Sequence, residues 1–130
     1  MSNYDFDFLK NEESEIYEHC RVADDSISLK HYGEVATRFG RDILKIILND
    51  LLSLHNINFK DENGKDFSLD KQIKKIKDSP DIPIENYTAD KLDKIRRFGN
   101  ERLHSKKIDE KRCNAIREDV FEVLKWFYEQ

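Results

Sequence analysis

Cysteine, proline and glycine are all scarce in this chain: two, two and four among 130 residues, with one tryptophan and one methionine. Two cysteines, Cys20 and Cys113, are too few for a disulfide scaffold. They read as small core residues in a reducing compartment, a single bridge between them being the alternative. Four dispersed glycines exclude a glycine-rich phosphate loop, and no Gly-x-Ser-x-Gly elbow or paired-carboxylate spacing is present. Long apolar runs are missing too; the longest patches are Ile46-Ile47-Leu48 and Leu51-Leu52, far short of a membrane span. The N-terminus is acidic and lacks a basic-then-apolar leader, so a cytoplasmic protein with no membrane partner is expected. Strand-like alternation persists nowhere, and neither internal repeats nor low-complexity tracts occur.

What is abundant is charge. Charged residues make up 38% of the chain, equal to the hydrophobic share, which suits a helix-rich soluble domain. The length suits one domain, residues 1–130, with a real core. A net charge of −4 argues against a general nucleic-acid coating protein. The charge is uneven, however. From Lys91 to Arg112 nine Lys/Arg face four Asp/Glu, a local +5 that leaves −9 for the remainder. Such a segment either binds a phosphate backbone or is a solvated helix surface with charge pairs one turn apart.

The chain then reads as five helices. An arm over residues 1–10 alternates Tyr4, Phe6 and Phe8 with Asp5 and Asp7 and is expected to pack on the bundle. Asn11 or Ser14 caps a first helix to about Asp24, with Ile16, Tyr17, Cys20 and Ala23 inward, and Asp24-Asp25-Ser26 reads as a turn. Ser28 or His31 opens a long second helix to about Asn56, its apolar positions from Tyr32 to Leu54 close to a period of about 3.6 residues. Gly33 and Gly40, seven apart on one face, mark a place for another helix to cross closely.

Residues 56–67 form a loop with an Asn63-Gly64 turn. Asp61, Asn63 and Asp66 stand partly like a calcium loop, but the later Glu and the Gly spacing are missing, and no metal site is expected. Ser68 caps a short third helix with Leu69, Ile73 and Ile76 inward, ended by Pro80 and Pro83. Thr88 reads as the cap of a fourth helix, which Ser105-Lys106-Lys107 breaks. Asp109 caps a fifth, with Cys113, Ile116, Val120, Val123, Leu124 and Phe127 inward. Trp126 and Tyr128 flank that face. The expected fold is all-α: a compact five-helix bundle built round two long antiparallel helices.

The fourth helix carries the candidate site. Over Asp90–His104, Leu92, Ile95, Phe98, Leu103 and the stem of Arg102 point inward. Asn100, Arg97 and Arg96 lie four, seven and eight residues before His104, hence near one face with it. An imidazole, an amide and one or two guanidinium groups in that arrangement can hold a phosphate or serve acid–base chemistry near neutral pH. The bland alternatives are a helix-terminal His104 making a structural hydrogen bond, or an Asn100–His104 pair. Asn100 is expected to hydrogen-bond the neighbouring long helix, and Arg38 or Arg41 to add a cation to the same pocket. Gly99 in mid-helix costs roughly 1 kcal/mol against Ala, which points to close approach by another backbone or a ligand. His19, His31 and His55 show no metal-ligand spacing, and no cofactor is indicated.

These residues also carry a resemblance. Arg96-x-x-Gly99-Asn100-x-x-x-His104 resembles the R-x-x-G-N-x-x-x-H signature of the HEPN-like helical domain at the N-terminus of type I restriction enzyme R subunits, and of related stand-alone bacterial domains of unknown function. The opening from Met1 to Leu9 and Glu15-Ile16-Tyr17-Glu18 are similar to the start of those subunits, so the likeness spans nearly the whole chain. It implies a HEPN-like bundle, either stand-alone or excised from ahead of nuclease and motor regions. Catalytic HEPN ribonucleases pair two Arg-x4–6-His motifs across a dimer and cleave RNA without a metal. Arg97-x6-His104 fits that spacing, whereas the commonest catalytic spacing places Arg at position 99, where this chain has Gly99.

Two readings follow. One is a non-catalytic interaction or nucleic-acid/phosphate-binding module of restriction or other defence proteins, with Arg96, Arg97, Arg102, Lys106 and Lys107 at the phosphates. The other is a metal-independent endoribonuclease, a defence or toxin effector, using Arg97, His104 and Asn100. A homodimer, RNA or other nucleic acid, and defence proteins are the expected partners.

Overall fold

In the computed structural model the described residues are 5–10, 14–101 and 108–130. A single 3₁₀ turn, Phe6–Leu9, leads into α1 (Ser14–Ser28). Next comes one continuous rod made of α2 (Tyr32–Thr37), a wide π segment (Arg38–Ile43) and α3 (Leu44–Leu54). It is followed by α4 (Leu69–Asp78), α5 (Asn86–Asn100) and α6 (Glu110–Phe127). With the rod counted once, the described residues form five helices and no named strand, the all-α bundle that the apolar periodicity predicts.

The core runs through all of them. Ile16, Cys20 and Ala23 from α1, Val35, Phe39, Leu44 and Leu48 from the rod, Ile73 and Ile76 from α4, Leu92, Ile95 and Phe98 from α5, and Cys113, Val120 and Leu124 from α6 are buried together. The arm joins it through Phe6, whose ring sits 6.1 Å from Phe39 and 6.0 Å from Phe121. Both cysteines are free and buried. Desolvation holds the Cys20 thiol far above its ordinary range and pushes Cys113 up to about 11. Among the described residues no helix is long and apolar enough to cross a membrane.

Two boundaries differ from the expectation. Asp24-Asp25-Ser26 is helical, not a turn, because each has a helix-compatible partner or place: Asp24 pairs with Arg117 at 2.6 Å, Asp25 with Arg21 one turn back, and Ser26 is buried. The helix stops instead at Lys30, in the left-handed region at φ 61°. Thr88 is not a cap; α5 starts at Asn86, where Tyr87 has Glu122 of α6 to bond. For the same helix, the expected stretch beyond Glu101 to His104 lies outside the described residues. Ser68 and Asp109 do cap α4 and α6, accepting from the amides of Lys71 and Arg112. In the loop, Gly64 takes φ 78° and Asp61 accepts from the amides of Asn63 and Lys65, so its carboxylate shapes the turn.

Candidate functional site

Two glycines build the site. A Cβ placed on Gly40 would lie 2.3 Å from the Cα and N of Gly99, and one on Gly99 would lie 2.3 Å from the carbonyl oxygen of Gly40. The backbones of the π segment and α5 therefore touch, a contact that no side chain permits. Gly33 faces open space, so only Gly40 of the expected pair marks the crossing. The π segment widens the rod by one residue where the crossing falls, a device common at functional sites.

The contact brings the next residues together. Arg41 follows Gly40 and Asn100 follows Gly99. Both line one groove of about 320 Å³ with Arg96 and the first turn of α4 at Ser68, Leu69 and Asp70. Arg96 is largely covered, and its Nε is shut from solvent without a hydrogen bond among the described residues. Its nearest carboxylate oxygens, on Asp70 and Asp93, stand at 3.6 and 4.0 Å, beyond hydrogen-bond length. Arg41 is exposed and has no ion-pair partner among the described residues.

At Arg41, Ser68 and Leu69 this groove runs into a second, of about 420 Å³, whose walls include Lys45, Lys65, Phe67 and Gln72. Four cations, Arg41, Lys45, Lys65 and Arg96, thus face two carboxylates, Asp66 and Asp70. Asp66 is already engaged by Lys60 at 2.8 Å, by the Asn49 amide at 3.2 Å and, more loosely, by Lys45 at 3.8 Å. Those hydrogen bonds, Lys60 first, hold its carboxyl below the usual range. The balance left over is positive, beside the N-terminal amides of α4, and suits an anion.

The sequence-predicted residues divide. Arg96 and Asn100 meet in the groove, and Arg41 supplies the cation expected from the neighbouring helix; Arg38 does not, being bonded to Glu34 and to His19 Nδ1 at 2.9 Å. Asn100 is exposed and forms no hydrogen bond to the rod, contrary to expectation, since backbone contact at the glycines leaves its side chain beyond the crossing. Arg97 is exposed but lies on the next face of α5, outside the groove lining. Arg102, His104, Lys106 and Lys107, and the break at Ser105, lie outside the described residues.

The +5 segment is not one free surface. Lys91 is buried between Asp119 at 3.0 Å and Glu122, and Arg112 is bonded by Glu101. Lys45, Lys65 and Gln72 carried no signal in the sequence. The one clue was the pair of mid-helix glycines, each followed by a polar residue. No family model, curated protein or solved structure matches this chain.

Proposed function

We propose that this chain is a binding module whose ligand is a phosphate-bearing polymer, nucleic acid being the class, seated in the groove between the π segment, α4 and α5. One observation carries this reading: the Gly40–Gly99 contact draws Arg41, Arg96 and Asn100 into one concave, positively charged place in a chain that is acidic overall. In this reading the chain is a HEPN-like module that serves restriction or other defence proteins. The support is that Gly99 and Asn100, the centre of the resembling signature, are the residues that make the crossing and line the groove.

The test is fluorescence anisotropy of labelled oligonucleotides at low and raised salt. Arg41→Ala and Arg96→Ala are each expected to weaken binding about tenfold and to flatten the salt dependence, as lost phosphate contacts do. Absence of salt-dependent binding by the parent, or equal affinity in both variants with helicity intact, would overturn the proposal.

A second reading draws on Arg97, which is exposed and without an ion-pair partner among the described residues. A free surface cation is what metal-independent RNA cleavage by an Arg97/His104 pair across a homodimer would require. RNA cleavage in EDTA that both Arg97→Ala and His104→Ala abolish would establish it.

A further inference from the structure

Gln72 is wholly buried, yet it borders the second groove. Its amide orientation is set: Nε2 lies 2.9 Å from the carbonyl oxygen of Phe67, which can only accept, so the NH₂ faces it. That leaves Oε1 turned away with no donor among the described residues. A buried amide oxygen without a donor costs stability, and one kept beside a groove suits a donor that enters through that groove. Three cations, Arg41, Lys45 and Lys65, stand along the same groove with one carboxylate, Asp66, which pairs with Lys60 and Lys45, and Phe67, whose ring has the Lys71 ammonium 3.7 Å from its centre, provides an apolar wall. The groove volume of about 420 Å³ falls within the range of small-ligand pockets.

We propose that this second groove is a base-recognition subsite for single-stranded nucleic acid. An unpaired base enters beside Phe67 and presents an N–H of its pairing edge to Gln72 Oε1, while its flanking phosphates rest on Arg41, Lys45 and Lys65. The single strand follows from the donor: in a duplex the pairing-edge N–H groups are already bonded to the opposite base. Oε1 lies beneath the groove surface in the ligand-free chain, so the groove wall parts as the base enters while Nε2 keeps its bond to Phe67. The inference rests on the phosphate-binding reading above and adds to it the strand class and a selecting residue.

The test compares an adenine oligonucleotide with an abasic one of equal length, which has the same phosphates. The parent is expected to bind the adenine strand at least about fivefold more tightly, and Gln72→Met, similar in length and without the acceptor, to bind both alike. Because a buried substitution can disturb folding, the parent is also followed by NMR. The Gln72 side-chain amide resonances should shift with the adenine strand and stay in place with the abasic one. Equal affinity of the parent for both strands with unmoved Gln72 resonances, or a preference that survives in Gln72→Met, overturns the subsite and leaves phosphate binding standing. Failure of both strands to bind removes the phosphate reading and this one with it.

Discussion

Gly40 and Gly99 illustrate how a residue with no side chain can organise a site. Each sits inside a helical segment, where alanine would gain roughly 1 kcal/mol of helix propensity. Here the gain is outweighed, because the added methyl would meet backbone atoms that have no rotamer to escape into. Gly40→Ala and Gly99→Ala are therefore expected to destabilise the fold by about 1–3 kcal/mol, read as a lower denaturant midpoint. Gly33→Ala, facing open space on the same rod, is expected to be neutral or stabilising by up to about 1 kcal/mol. A Gly40→Ala protein as stable as the parent would sink the crossing. The sequence revealed that Gly99 needs an explanation; it paired Gly40 with Gly33, since spacing along one helix says nothing of which partner lies opposite.

Among the elements, scarcity of glycine shows in the helix ends. α1 closes with the amide of Lys30 on the carbonyl of Ile27 and that of His31 on Ser26. α3 closes the same way, Asn56 on Ser53 and Ile57 on Leu52. Both are Schellman ends, which require a left-handed residue, and Lys30 and Asn56 take φ 61° and 58°. Asparagine tolerates that region; lysine does so at a cost of about 1 kcal/mol. Lys30→Gly is thus expected to raise stability by up to about 1 kcal/mol, visible as a higher midpoint in thermal melts, whereas Asn56→Gly should change little. The end of α1 was misread because Asp24-Asp25-Ser26 has turn composition, and local composition is overruled when Arg117, far along the chain, holds Asp24 in the helix. The Ser68 and Asp109 caps were legible because a cap bonds only its own first turn.

Over the whole molecule, charge is arranged by packing and not by sequence neighbourhood. Lys91 joins α5 to α6: its ammonium is within reach of Asp119 and Glu122 and lies 4.4 Å from the Tyr87 ring centre. Burial alone would lower its pKa, but the bonds to Glu122, Asp119 and Tyr87 outweigh that and raise it well above the ordinary 10.5. A lysine whose folded pKa is raised gives its full stabilisation below the unfolded value and loses it as pH climbs toward the folded one. The parent should therefore lose stability above pH 10.5 in a way that Lys91→Met does not. At neutral pH the variant should be about 2 kcal/mol less stable, its two carboxylates left facing each other. A variant that melts with the parent at neutral pH would show the network to be dispensable.

The sequence by itself determined the all-α class, the inward faces of the helices and the two side-chain caps, because each depends on spacing of about one turn within a single segment. It also singled out Gly99, Asn100 and Arg96. Only the tertiary structure decided that Gly40 is the partner of Gly99, that Lys91 is consumed by α6, that Arg41 and not Arg38 supplies the neighbouring cation, and that Lys45, Lys65 and Gln72 border the candidate site. Those facts join residues from separate helices, and the crossing that joins them is chosen by which backbones can touch, a property that no stretch of sequence carries alone.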